Sequence, residues 1–302
     1  MLKLDSMAPV LFLVMWSSGA VIVKLGLQFS SEWSFLALRA ASSFIFVTVL
    51  YLVAKRFSSI VFTRLSRSDL KALLLVGLLL QILYLAFYIL AIGTEMSPGL
   101  VTLILGVQPL ITPLLCRQKL DLARILLLLL GFSGLTIAIA GAQNLDGIEW
   151  AGIGFAVLAL FSLTWGTIKQ ASVKVHSIQA MWYQCLMSSL FFTALGLSSG
   201  WQVEWEQGLV FSVLWMSLVV SVGALLLLMY MVKYESSDKV SVLFYAIPIL
   251  TYLFDHLLFG TTLTPVTMLG MVVVALCIVL YRRQSKSNRE PDKLSVVNQN
   301  SH

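Results

Sequence analysis

Charge is scarce in this chain. Only 11% of its 302 residues are Asp, Glu, Lys or Arg, while 59% are hydrophobic and mean hydropathy is +0.93. A soluble domain of this length would carry roughly a quarter charged residues, so a water-soluble globular fold is excluded. Cysteine and histidine are nearly as rare. Cys116, Cys185 and Cys277 lie in or beside apolar runs without paired spacing, which excludes a disulfide framework and leaves them as small packing residues. His176, His256 and His302 form no ligand cluster, so no metal is expected. The sequence contains no glycine-rich phosphate loop, no GxSxG and no HExxH. Nothing encodes ATP hydrolysis and no cofactor is expected. Any pumping must run on an ion gradient or on the solute's own.

What the chain has instead is apolar runs of about twenty residues, the length that crosses a bilayer. Ten helices are expected, at Pro9–Leu27, Phe35–Ala54, Lys71–Ile92, Pro98–Cys116, Arg124–Gly141, Gly152–Lys169, Gln179–Ser198, Leu209–Val232, Val240–Phe259 and Pro265–Tyr281. The fold class is therefore an all-α polytopic membrane protein. The first run is too long for a signal peptide, and Trp16 and Lys24 suit a retained span. Residues 284–302 are polar and expected to be a disordered tail. In the loop Phe57–Ser68, Ile60, Val61 and Phe62 interrupt the basic residues, as in an interfacial turn.

Charge placement orients the spans. Of 20 basic residues, 18 fall before the first span, in alternate loops or in the tail, from Lys3 through Lys55, Arg117, Lys169 and Lys233 to Arg282 and beyond. The opposite loops hold Glu32, Glu95, Asp146, Glu149, Glu204 and Glu206 instead. The positive-inside rule then makes both termini cytoplasmic. It also accounts for the +6 net charge. Because the basic residues flank apolar spans rather than form one patch, a nucleic-acid partner is not expected.

An offset of 139 residues carries Pro109 onto Pro248, Thr112 onto Thr251, Leu114 onto Leu253 and Gly131 onto Gly270 without a gap. Five spans per half is an odd number, so the second half enters the membrane inverted. The expected organisation is a five-helix repeat over 1–143, an inverted repeat over 144–283 and the tail. Inverted repeats with a site near the midplane are a transporter architecture.

Candidate site residues follow from position and helical spacing. Ser241, Tyr245, Pro248, Tyr252 and Asp255 recur at steps of four and three, which places them on one helix face. Gln81, Tyr84 and Tyr88 share a face of the third span, Trp16, Ala20 and Lys24 one of the first, and Ser162, Trp165 and Lys169 one of the sixth. Pro109 lies eleven residues beyond Pro98, roughly 16 Å deep in a core about 30 Å thick. Each of Pro109 and Pro248 frees the carbonyl four residues earlier. Both are read as hinges or cavity wall, with a simple packing kink as the alternative.

Within the spans the charges are Lys24, Arg39 and Asp255, each costly to bury. Arg39, with or without Lys24, suits a solute carboxylate or phosphate, and Asp255 an ammonium group or a coupling proton. Lys24 snorkelling to the surface and Asp255 neutralising a basic residue are the structural alternatives. Gly131, Gly134, Ala138 and Gly141, with Gly270, Val274 and Cys277, form small-residue stripes that serve either as a seam within the chain or as a homodimer face.

Trp16-Ser17-Ser18-Gly19, Leu38-Arg39, Gln108-Pro109, Thr164-Trp165-Gly166 and Ile247-Pro248, in this order over about residues 8–283, resemble the EamA-type branch of the drug/metabolite transporter superfamily. Family members often carry Gly-Glu before the fifth and tenth helices. That register falls here on Leu122 and on Gly260-Thr261, and both glutamates are absent. The resemblance implies a central cavity lined by helices one to four and six to nine, with five and ten outside. It also implies a carrier of the inner (plasma) membrane for small solutes, in the direction of export, with amino acids or related metabolites as cargo. Trp16, Lys24, Arg39, Gln81, Tyr84, Gln108, Trp165, Tyr245, Tyr252 and Asp255 are the expected substrate-binding set. Proton-coupled antiport and uncoupled facilitation or a channel both stay open. A membrane transferase would need clustered cytoplasmic carboxylates, and Asp69, Asp121, Glu235 and Asp238 are scattered.

Overall fold

The computed structural model describes residues 2–57, 62, 64–94, 98–118, 120–140, 150–234, 240–259 and 264–287, and the contacts below are among these. Ten helical segments follow one another. They are α1 (Leu2–Gly26), α2 (Glu32–Phe57), α3 (Arg67–Gly93), α4 in two pieces (Pro98–Leu105 and Gln108–Leu115), α5 (Leu122–Ala140), α6 (Trp150–Ala171), α7 (Ser177–Ser198), α8 (Gln207–Tyr234), α9 (a 3-10 turn Val242–Tyr245 running into Ala246–Phe259) and α10 (Pro265–Ser287). Six of them are long and apolar enough to cross a membrane: Met7–Gly26, α2, α3, α6, α7 and α8. Shorter apolar stretches in α5, α9 and α10 add to these.

Several expected boundaries move outward, two of them furthest. The helix-forming run Leu2–Ala8 carries α1 through Pro9. At the other end α10 continues to Ser287, so residues 284–287, expected to be disordered, are helical. Residues 288–302 lie outside the described chain, as do 58–61 of the expected interfacial turn. Phe62 of that turn is described, and its ring stacks on Tyr51 at 4.5 Å.

The bundle is apolar outside and partly polar inside. Leu126, Leu130, Leu269, Val272 and Leu276 expose roughly half of their surface, while Ser17, Gln81, Thr102, Gln108, Thr112, Gln179 and Gln184 are buried. An outer surface of this kind requires an apolar solvent, and it marks a multi-pass membrane protein.

Helices bend away from α-geometry at positions that the 139-residue offset relates. A π-helical stretch occupies Leu78–Leu83 in α3, and another occupies Trp215–Ala224 in α8. The break in α4 at Gly106–Val107 maps onto 245–246, where the 3-10 turn of α9 meets its α-helix. Both of these last irregularities sit two to three residues before a proline, Pro109 or Pro248, whose missing N–H ends regular pairing. In α4 the bond from Val107 N to the Ile104 carbonyl is one of the tighter turns that bridge the break.

Helices α5 and α10 pack on each other outside the rest of the bundle. A Cβ on Gly270 would stand 2.5 Å from the Ala138 nitrogen and the Gly134 oxygen, so the backbones touch there. Gly131, Gly134 and Gly270 thus form a seam within the chain, and Gly141 lies outside the described residues. At the other edge of α5 the Tyr245 hydroxyl donates to the Leu128 carbonyl at 2.9 Å.

Candidate functional site

A cavity of about 80 Å³ lies in the middle of the bundle. It is walled by α1, α2, α3, α4, α6, α8 and α9. Among the described residues neither α5 nor α10 reaches it, and α7 contributes only Ser188, to a smaller side pocket of about 10 Å³ that shares Arg39, Gln81 and Ser221 with the main space.

Aromatic rings form much of the wall. Trp16 of α1 sits 5.9 Å from Phe244 of α9 and stacks at 6.4 Å on Tyr84 of α3, which in turn lies 6.1 Å from Tyr88. The 3.6-residue period brings Tyr84 and Tyr88 to one side of α3, and Gln81, in the π-helical stretch before them, lines the same cavity. The glycine that follows on α1 allows the wall to close: a Cβ on Gly19 would meet Val220 of α8 at 3.2 Å.

Arg39 provides the positive charge of this wall. Its Nε donates to Ser221 Oγ at 2.9 Å. Its backbone carbonyl accepts from Ser43 Oγ at 2.6 Å and from Ser217 Oγ at 3.1 Å. The two serines of α8 fall within its π-helical stretch. Among the described residues, no carboxylate forms an ion pair with Arg39. Gln81 is buried in the wall between the cavity and the side pocket, and its Nε2 has no hydrogen-bond partner.

Residues 148–283 match the EamA-like transporter family. The chain carries an EamA-like transporter domain. The match is to a family of membrane transporters. A solved structure described simply as a crystal structure of a protein shares the fold at a TM-score of 0.74 and 16% identity, covering 92% of this chain and 97% of that one. No curated protein matches the sequence.

The expected site and hinge residues divide between wall and scaffold. Trp16, Arg39, Gln81, Tyr84 and Pro248 line the cavity. Trp165 does not: it is 39% exposed on the outside of α6, with the Lys169 ammonium 5.9 Å above its ring. Its neighbour Gly166 faces inward instead, where a Cβ would come within 2.5 Å of Leu80. Lys24 is exposed. Gln108 is fully buried beside the α4 break, away from the cavity lining, and both atoms of its amide lack partners. Pro109 is buried at the start of the second piece of α4.

In α9 the expected common face is split. A 3-10 turn advances about 120° per residue, whereas an α-helix advances 100°. With four residues in that form, Tyr245 turns onto α5 while Phe244, Ile247 and Pro248 face the cavity. Tyr252 is half-buried and does not line the cavity, and the Asp255 side chain lies outside the described residues. Ser221 and Met216 of α8 were not singled out from sequence. The signal for Ser221 was the pair Ser217 and Ser221, four apart in an otherwise apolar span.

Proposed function

We propose that this EamA-like protein is a secondary-active carrier of the inner membrane that exports small organic metabolites, amino acids or related compounds among them. Its two five-helix repeats are inverted, both termini face the cytoplasm, and the cavity opens alternately to either side. Pro109 and Pro248 act as the hinges where α4 and α9 flex. The observation that carries this reading is Arg39, a cation fixed by Ser221 inside an aromatic-walled cavity at the centre of the bundle. Burying such a charge is costly, and a solute anion offsets the cost by charge-assisted hydrogen bonds. The repeat-related irregularities of α3 and α8, and of α4 and α9, support symmetric rocking around that cavity.

A growth-protection panel tests it. Bacteria expressing the protein or its Arg39→Ala variant are challenged with toxic amino-acid analogues, nucleobase analogues and cationic dyes. Protection against one class, lost in the variant at equal expression, is the expected result. Protection that survives the variant removes Arg39 from the site, and heightened sensitivity with the wild type reverses the direction.

A further inference from the structure

The donors that remain open in this cavity converge on one place. Arg39 carries five N–H groups, and Nε uses one of them on Ser221. No described residue accepts from the other four. Ser221 Oγ accepts that bond, and its own proton has no acceptor among the described residues. The Gln81 amide nitrogen, on a side chain only 6% exposed, is likewise unpartnered. Arg39, Gln81 and Ser221 are the three polar residues that line both the cavity and the side pocket. The side pocket's other hydroxyls are already committed, Ser43 Oγ to the Arg39 carbonyl and Ser188 Oγ to the Cys185 carbonyl. Three unfilled donors around a small recess, one of them cationic, describe an acceptor-only ligand group. A carboxylate has that chemistry.

The remainder of the cavity is built for an apolar body. Trp16, Tyr84 and Phe244 offer ring faces, and Leu105, Leu163 and Leu225 close the wall. Among the described residues, none that lines either space is acidic, and Arg39 is the one cationic residue. A monoanion bound there makes a neutral pair. A phosphate dianion would bring a second charge with no second cation to meet it. A zwitterion would neutralise Arg39 and then bury an ammonium that meets ring faces and neutral oxygens such as those of Tyr84, Tyr88 and Thr102 but no described carboxylate, at a desolvation cost that those neutral contacts offset in part.

We infer that the preferred solute is an apolar monocarboxylate, held at its carboxylate by Arg39, Gln81 and Ser221, and that a zwitterion with the same body binds more weakly. This deepens the carrier reading above and rests on it.

Four probes with one phenyl body separate the possibilities: 3-phenylpropionate, phenylpyruvate, phenylalanine and phenethylamine. Purified full-length protein is reconstituted in proteoliposomes, and counterflow of labelled 3-phenylpropionate is measured against each unlabelled probe. The two monoanions are expected to compete at concentrations roughly tenfold below phenylalanine, and phenethylamine not to compete. Gln81→Leu, which keeps the volume and removes the donor, should raise KM for 3-phenylpropionate about tenfold with Vmax within about twofold. Gln81→Glu, which places an anion in the recess, should abolish monoanion competition, and it serves where the leucine variant is not monodisperse.

Counterflow of phenylalanine or phenethylamine in preference to the monoanions overturns the inference and leaves the carrier intact, with Asp255 then the residue to test as an ammonium partner. An unchanged KM in both Gln81 variants also overturns it. So does the absence of movement by all four probes, in which case the growth panel decides the carrier reading separately.

Discussion

Arg39 and Ser221 stand 182 positions apart in sequence and meet at 2.9 Å, Nε to Oγ, across the wall between α2 and α8. One residue supplies charge and the other fixes its direction. Ser221→Ala keeps the cation and removes its anchor. The hydrogen bond is worth about 1 kcal/mol to stability, so the variant should fold. Solute KM should rise by about threefold to tenfold as the guanidinium loses its aim. Concentration-dependent transport by wild type and variant at equal reconstitution measures this. An unchanged KM would make Ser221 a bystander.

The α5/α10 seam depends on backbone contact. In Gly270→Ala the new Cβ meets the backbone of Gly134 and Ala138 at 2.5 Å. Rigid backbone cannot yield as a side-chain tip can, so a loss of about 1–3 kcal/mol is expected. Gly154→Ala on α6 is the control, because nothing lies within 4 Å of its added methyl. Helix propensity makes that change neutral or stabilising by up to about 1 kcal/mol. Thermal midpoints in one detergent should order the proteins as Gly154→Ala at or above wild type, and Gly270→Ala below it.

Replacing Pro109 or Pro248 by alanine restores a backbone N–H where α4 and α9 are broken. Each variant is expected to keep or gain thermal stability and to lose turnover about tenfold, because a regular helix resists the bend that reorientation needs. Affinity should change little for Pro109→Ala, whose proline lies away from the cavity lining. Stability and turnover falling together would mark the prolines as packing kinks.

His176 caps the N-terminus of α7: its Nδ1 accepts from the Ile178 amide at 3.3 Å, and Phe62 packs edge-on against its ring. Burial first, and the Lys233 ammonium second, hold the imidazole below its ordinary 6.5. A histidine with a depressed folded value favours the folded state when neutral. Its contribution is therefore fully present above about 6.5 and is lost as pH falls through the lower folded value. Protonation also removes the acceptor at the cap. The thermal midpoint should drop on acidification below that range, and His176→Asn, which can still cap a helix, should flatten the drop. Equal slopes for both proteins would rule out His176 as the source.

Most of the architecture was legible in the sequence because a bilayer imposes it: span length and apolar runs located the ten helices, and few helix boundaries moved far. Side-chain direction was legible only where the helix stayed regular. Tyr84 and Tyr88 came together because α3 is a regular α-helix from Tyr84 onward. Tyr245 went to the α5 seam because four residues of α9 wind as a 3-10 turn, and a proline three residues downstream does not announce how far back the distortion reaches. Trp165 and Gly166 show the converse limit. Adjacent residues on a helix point about 100° apart, and the motif alone does not say which of them faces inward. The π-helical stretches that present Gln81 and Ser221 carry no composition signal at all.

Counterflow across a sealed membrane tests the central claim most directly. Proteoliposomes are loaded with a saturating unlabelled solute identified by the growth panel, then diluted into a trace of the same solute carrying label. A carrier that exposes one cavity to each side in turn will draw label inward above its external concentration before it decays, and Arg39→Ala will abolish the overshoot. Label that rises monotonically to equilibrium in the wild type, with no overshoot at any load, is the behaviour of a pore and would contradict the account.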